Sequence, residues 1–521
     1  MGVDETLNQP RLILADYVVQ DAAAGPAGVL RTGALYIEGG RIAAVGPQDQ
    51  LRAMYPQASV LGGRGRLAIP GLVNAHSHGR GLSTLQQGIP DDALELWLVS
   101  LPLLKPLDPY WNTLHSAAQL LRSGVTTVIH SHVGGGAFEA YRRGVERAIQ
   151  AYEEAGMRVA FAMGYKEYHN LVFDDDETFL ATLDPSLRAR VQQYLLSRPN
   201  ISPDDYFHLF DELYPRYQGP DHPRTRLFLS PVGPQWCSDA FMRGVAQRST
   251  TTETGIHIHV SESLYEKWYG PREWDAPVVA HLDSLGLVTP RLSLVHSVWL
   301  SEEEIRTCAN SGAIVVTNPS SNLRLHNGIA PLNQMWAAGL TVALGIDSTA
   351  LDDDEDMLRE MRLAMNLHRN PGVAAVVPDA YKILEMATRG GARATLLEDE
   401  IGTLEVGKQA DVVLVNLERI SRPYLDPSLD VVEAFLTRGR AEDVETVLID
   451  GRVVLKEGQY PHLDLHEIEA QQRDAAQSGD AHREETLRRL LADLRPALVR
   501  FYQDWEESTA LDPYYTLNSR R

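Results

Sequence analysis

The stretch LAIPGLVNAHSHG, residues 67–79, decides the fold: a short apolar run ends in two histidines spaced two apart. Such a run, followed by longer segments of helical pattern, marks a βαβ unit and a parallel sheet. Seven more runs of the same kind follow, so the predicted strands span 68–75, 126–132, 158–164, 226–231, 255–261, 292–298, 313–318 and 340–347. Eight strands in alternation with helices suit a closed (β/α)8 TIM barrel over residues 68–399, with an open doubly wound sheet as the alternative. The barrel is preferred because polar residues gather where these strands end: His76, His78, His132, His259, Glu262, His296, Asn318 and Asp347. Side chains at the C-terminal mouth of a barrel converge on one site.

The flanks read differently. Short apolar stretches at 11–18 and 33–45 are broken by Gly39-Gly40, and β character returns in IGTLEVGKQADVVLV (401–415) and VETVLIDGRVVLKEG (444–458). The two ends are expected to pair into one composite β-sandwich domain, residues 1–67 and 400–460, beside the barrel. Residues 461–521 form a helical C-terminal extension in which Leu487, Leu491, Leu494, Leu498 and Phe501 recur at spacings of three and four. Packing of that stripe against the body is favoured over a subunit contact, and Pro496 is expected to kink the helix or start a new one.

Composition narrows the function classes. Among 521 residues, 70 Asp and Glu against 48 Lys and Arg give a formal charge of −22, which repels phosphate backbones and anionic lipid, so no nucleic-acid partner is expected. No apolar run reaches the roughly 18 residues of a membrane span. Cys237 and Cys308, the two cysteines, build no disulfide framework, which fits a cytoplasmic location. The N-terminus lacks the parts of a signal peptide; Gly2 and Thr6 match the loose myristoylation pattern, but no basic second anchor accompanies them.

The chemistry lies at the strand ends. His76 and His78, two apart on a strand, face the same side, so one ion can reach both imidazoles; two hydrogen-bonded structural histidines are the plainer alternative. In HIHVSES (257–263), His259 ends a strand and Glu262 follows three residues on, placing a ligand beside a proton carrier. His257 shares that facing one pleat deeper and reads as a satisfied core histidine. His296 and Asp347 end two further strands. Buried imidazoles and carboxylates from four separate strand ends are costly unless they share a task.

Six motifs carry a wider resemblance: PGLVNAHSHGRG (70–81), HVSES (259–263), LVHSVWLSEEEI (294–305), NPSSNLRLHNGIAPL (318–332), ALGIDSTALDDDEDMLREM (343–361) and IGTLEVGKQADVVLV (401–415). In order and spacing the chain resembles the amidohydrolase superfamily, within its cytosine deaminase-like and chlorotriazine hydrolase-like group. The resemblance covers residues 11–460 and implies a (β/α)8 barrel flanked by a β-sandwich built from both chain ends. It implies that His76, His78, His259 and Asp347 bind one divalent metal per subunit, that His296 touches the activated water or the substrate, and that Glu262 moves protons. Zinc is the first expectation, with iron, manganese or cobalt accepting similar ligands. Binuclear relatives carry a bridging Lys on the fourth strand; RLFLSPVGPQ (226–235) has none, while Lys166 lies beyond the third. A mononuclear site is expected.

A small-molecule substrate follows. The ion would make a hydroxide nucleophile available at neutral pH, Asp347 would hold a proton, and Glu262 would protonate the leaving nitrogen. The expected activity is hydrolytic deamination of an amino-substituted nitrogen heterocycle of pyrimidine, purine, pterin or triazine type. One alternative is hydrolysis of a C–Cl, alkylamine, amide or urea bond at the same site; another is a non-catalytic barrel used as a binding module. Expected substrate contacts are Gln87, in the loop GRGLSTLQQGIPDDALELW (79–97), with His132, Trp236 and Asn322. The acidic run 352–356 reads as a solvated loop in preference to a second cation site. A homo-oligomer is expected from the family.

Overall fold

Gly71 divides the first predicted strand. In the computed structural model, which describes residues 9–134, 136–198 and 200–508, residues 68–70 finish one strand and residues 72–77 begin another in a different sheet. The first sheet has seven strands: β1 (Arg11–Val19), β2 (Val29–Glu38), β3 (Arg41–Pro47), β4 (Ser59–Pro70), β13 (Val412–Asn416), β14 (Val444–Ile449) and β15 (Arg452–Lys456). Its order, β15-β14-β13-β4-β1-β2-β3, joins the two chain ends, and only the β1–β4 pair is parallel among the described pairings. Leu414 opposite Ala68 marks the antiparallel seam where the C-terminal part meets the N-terminal part. Gly2 and Thr6 lie outside the described residues.

The second sheet is the barrel: β5 (Leu72–Ser77), β6 (Val125–His132), β7 (Arg158–Tyr165), β8 (Thr225–Pro231), β9 (Ile256–Val260), β10 (Leu292–His296), β11 (Ile314–Thr317) and β12 (Thr341–Leu344), all parallel and in sequence order. The ring closes beyond the end of β12, where Ser77 and Asp347 form a parallel bridge. Strand residues are buried on both faces, as expected when side chains fill the barrel and helices cover it. Ala75, Ile129, Ala160, Ala162, Phe228, Val316 and Ala343 form a compact cluster of their own. Arg158, fully buried at the start of β7, meets Asp411 at 2.9 Å and also bonds Asp450, tying the barrel to the other sheet. Such a charge is tolerated inside because two carboxylates face it.

The C-terminal chain forms helices Leu465–Gln477 and Ala481–Glu507. Leu487, Leu494 and Leu498 are buried, with Leu491 and Phe501 half-buried beside them, so the stripe packs on the body as expected. It covers loops at the barrel mouth through Phe173, Trp236, Leu264 and Trp268. No new helix starts at Pro496: one helix runs through it. Proline removes one backbone donor there, while buried Leu494, Ala497 and Leu498 on either side hold the helix to its support.

Candidate metal centre

The barrel's strand ends deliver four imidazoles to one place. Ring centroids lie 4.9 Å apart for His76 and His78, 5.0 Å for His76 and His259, 5.6 Å for His76 and His296 and 5.5 Å for His259 and His296. His296 and Asp347 take left-handed backbone conformations, φ 68° and 64°, at the points where the chain leaves the barrel wall. Such conformations cost about 1–3 kcal/mol and persist at sites that use them.

Each ring is held by its Nδ1. That atom of His78 donates to the carbonyl of Ser131 at 2.8 Å, and that of His259 to the carbonyl of Val232 at 2.6 Å. A carbonyl only accepts, so Nδ1 carries the proton and Nε2 keeps its lone pair. Nδ1 of His296 lies 2.8 Å from Asn322 Oδ1, and Nδ1 of His76 lies 2.8 Å from Nε2 of His257. Asp347 Oδ2 accepts from Ser321 Oγ at 2.5 Å, and Ser321 Oγ accepts from Thr349 at 2.8 Å. Asp347 Oδ1 turns the other way, 3.4 Å from His76 Nε2 and 3.2 Å from His78 Nε2.

These donors fit a divalent cation. Two trios, His76 with His78 and His259, and His76 with His296 and Asp347, each bring their ligand atoms within 4.8 Å of one another. His76 Nε2 and Asp347 Oδ1 are buried and have no hydrogen-bond partner among the described residues. Two buried acceptors turned on each other are stabilised by a positive charge between them. Burial drives the pKa of His76 well below its usual value and takes His259 to about 3, with the neighbouring His296 and His78 adding to the effect. His76 and His259 are therefore neutral, the form that binds metal. Imidazole with carboxylate suits zinc and similar ions.

Glu262 stands at the edge of this cluster. Its Oε1 lies 3.5 Å from His296 Nε2 and accepts from Asn327 Nδ2 at 2.9 Å, while its backbone N–H donates to Glu266 at 2.8 Å. Burial, then the charges of Asp347, Glu266 and Glu95, raises its pKa well above the ordinary carboxyl value and so favours the protonated form.

Three of the expected substrate contacts, Gln87, His132 and Trp236, have partners outside the imidazole cluster. Gln87 spends its amide inside its own loop, donating to Leu82 O at 2.9 Å and accepting from Lys105 N at 2.9 Å. His132 faces outward with His130, against Gly144 and Tyr141, because alternate residues of β6 share a face and Ser131 takes the inner one. Trp236 is buried under Lys166, whose ammonium lies 4.7 Å from its ring, and against Phe173. Lys166 is thereby outside the ligand cluster. Asn322 belongs to the site, but through His296. The acidic run also has local work: Asp356 accepts from Leu358 N at 2.9 Å at the start of helix Met357–Leu367, and Asp354 and Asp356 face Arg359.

Ser321, Thr349 and Asn327 are the functional residues that sequence reasoning missed. Ser321 and Asn327 lie in the quoted motif 318–332, where a run of polar side chains directly follows β11. That polar run was the available signal, since short polar residues at a strand end hydrogen-bond their neighbours.

Comparison with known proteins agrees with this geometry. The model of the amidohydrolase family matches residues 67–454, and that of the imidazolonepropionase-like composite domain of bacteria matches residues 33–58. A 5-methylthioadenosine/S-adenosylhomocysteine deaminase of Desulforudis audaxviator is 32% identical over 432 residues, 82% of this chain and 90% of that protein. The crystal structure of an adenosine deaminase from Xanthomonas campestris with bound zinc superposes with a TM-score of 0.75 at 27% identity, over 92% of this chain and 99% of the other. A zinc complex of atrazine chlorohydrolase from Arthrobacter aurescens TC1 shares the fold, with a TM-score of 0.76 at 23% identity over 89% of this chain and 100% of the other. With strand-end imidazoles gathered on one carboxylate and a family match spanning most of the sequence, this chain belongs to the amidohydrolase family.

Proposed function

We propose that this chain is a hydrolytic deaminase whose substrates are 5′-modified adenosines of the 5-methylthioadenosine and S-adenosylhomocysteine type. The reaction replaces an exocyclic amine of a nitrogen heterocycle by a carbonyl: one water enters and one ammonia leaves. The observation that carries this reading is Glu262, a buried carboxyl 3.5 Å from His296 at the rim of the imidazole cluster, in surroundings that favour its protonated form. A leaving amine needs a proton, and a positioned acid is worth about 10²- to 10⁴-fold in rate. The substrate class rests on the relatives' names.

His76, His78, His259 and Asp347 would hold the metal, zinc by ligand type, in a mononuclear site. When bound, a divalent cation supplies Lewis acidity that brings the pKa of water from 15.7 toward about 7. Asp347, kept in place by Ser321, takes up a proton as water adds to the ring carbon. Asn327 occupies Oε1 of Glu262, which leaves Oε2 to give its proton to the ring nitrogen, then to take the second proton of the added water and pass it to the departing amine; the proton held by Asp347 then restores Glu262. His296, fixed through Asn322, faces the space between Glu262 and Asp347, where the reacting carbon would sit. Burial of all these groups excludes bulk water from the proton transfers.

We place the enzyme in the cytoplasm as a homo-oligomer; no helix among the described residues is long and apolar enough to cross a membrane. The division into a composite β domain, a barrel and a helical extension is proposed with boundaries near residues 67, 400 and 460. Ammonia release from 5-methylthioadenosine, S-adenosylhomocysteine, adenosine and an aminotriazine tests the reading. Turnover concentrated on the adenosines is expected. Turnover of the triazine alone would contradict the substrate class, and no ammonia from any of them would contradict deamination.

A further inference from the structure

Two of the four clustered imidazoles, His78 and His259, have a carbonyl as unambiguous proton acceptor at Nδ1, while Nδ1 of His296 lies 2.8 Å from Asn322 Oδ1 and 3.2 Å from Asn318 Nδ2. His76 differs. Its Nδ1 meets another imidazole, His257 Nε2, and a ring nitrogen can either donate or accept. What sets the direction lies one residue further. Ser293 Oγ is 3.1 Å from the carbonyl of Ile256 and 2.6 Å from His257 Nδ1. The serine has one proton and the carbonyl can only accept; with that proton donated to Ile256, the serine oxygen accepts from His257 Nδ1. His257 therefore has a bare Nε2, which accepts from His76 Nδ1, and His76 is left with its Nε2 lone pair directed at Asp347. All three side chains are buried, His257 and Ser293 on the neighbouring strands β9 and β10 and His76 on β5 across the barrel, away from competing water.

From this polarity we propose that His257 and Ser293 are positioning residues: they fix the tautomer of His76 and so make its Nε2 a metal ligand. The inference rests on the metal-site reading above and gives His257 a task beyond filling the core. Without the serine oxygen, His257 is free to carry its proton on Nε2. It then donates to His76 Nδ1 and moves the proton of His76 onto the nitrogen that must face the cation. Partners of this kind typically govern metal affinity by ~10- to 100-fold.

The test is competition for zinc between the purified protein and a chelator, read as a dissociation constant, with the thermal midpoint of each metal-free protein read alongside. Ser293→Ala and His257→Leu should each weaken zinc binding ~10- to 100-fold, with the metal-free midpoint close to that of the parent chain. Ser293→Thr keeps a hydroxyl and His257→Gln keeps an acceptor at the Nε2 position; both should bind zinc within about threefold of the parent, by the same hydrogen-bond logic. Parent-like affinity in Ser293→Ala, or equal losses in Ser293→Ala and Ser293→Thr, would overturn the proposal. If Ser293→Ala fails to fold, the His257→Leu and His257→Gln pair decides in the same way. A parent chain that binds zinc but releases no ammonia would sink the deaminase reading and leave the relay standing or falling on these affinities alone.

Discussion

The backbone N–H of Asp347 donates to the carbonyl of His76 at 2.9 Å, so the contact that closes the barrel also sets two of the proposed metal ligands side by side. Barrel closure and site assembly are one event. The neighbouring residue makes the approach sterically feasible: a Cβ on Gly345 would stand 2.3 Å from Asn318 Oδ1 and 2.8 Å from the Cβ of His76.

Gly345→Ala should therefore injure both properties together. Overpacking of this kind costs about 1–3 kcal/mol. A lowered thermal midpoint together with weakened zinc retention is expected. Normal zinc retention in a destabilised variant would separate closure from the site.

Glu262→Gln keeps the shape and the Asn327 contact but removes the proton. Turnover should fall by about 10²- to 10⁴-fold while metal content stays at the parent level. Metal analysis alongside steady-state rates checks both halves, and unchanged turnover would remove Glu262 from the role of acid.

Asn322 accepts from Nδ1 of His296 at 2.8 Å and so fixes which nitrogen faces Glu262. Asn322→Ala should lower kcat by about 10- to 100-fold, as expected for the loss of an orienting partner, and Asn322→Asp, which retains the acceptor, should lose less. Rates for the two variants at equal metal loading make the comparison.

Glu355, away from the imidazoles, supplies a prediction about stability. Burial raises its pKa from 4.5 to about 8, against the opposing hydrogen bond from Ser116. Between those values the folded chain holds a proton that the unfolded chain has released, so stability falls as pH rises, by about 1.4 kcal/mol per unit for this group. Its contribution is complete below pH 4.5 and lost above about pH 8. Glu355→Gln should remove that slope, and the gap in thermal midpoint between variant and parent should widen in the variant's favour from pH 5 to pH 8. A constant gap would contradict the assignment.

The barrel was legible because its strands are apolar runs closed by polar residues, a pattern that needs no knowledge of partners. The start of the first strand was misjudged by four residues, since Ala68, Ile69 and Pro70 are as apolar as Leu72 and Val73 and only their pairing with Leu414, Val413 and Val412 assigns them to the other sheet. The clustered residues His76, His78, His259, His296, Asp347 and Glu262 were visible as strand-end chemistry. The surroundings of Gln87 and His132 were not legible for a different reason: loop hydrogen bonds and strand facing decide where such side chains point, and neither is written locally. The run through Pro496 likewise depends on a tertiary support that the local pattern does not carry.

Metal removal tests the central claim most directly. After exhaustive chelation, verified by elemental analysis, ammonia release from 5-methylthioadenosine should drop to background and return when zinc is added back to the same preparation. Full turnover by protein shown to contain no metal would contradict the account.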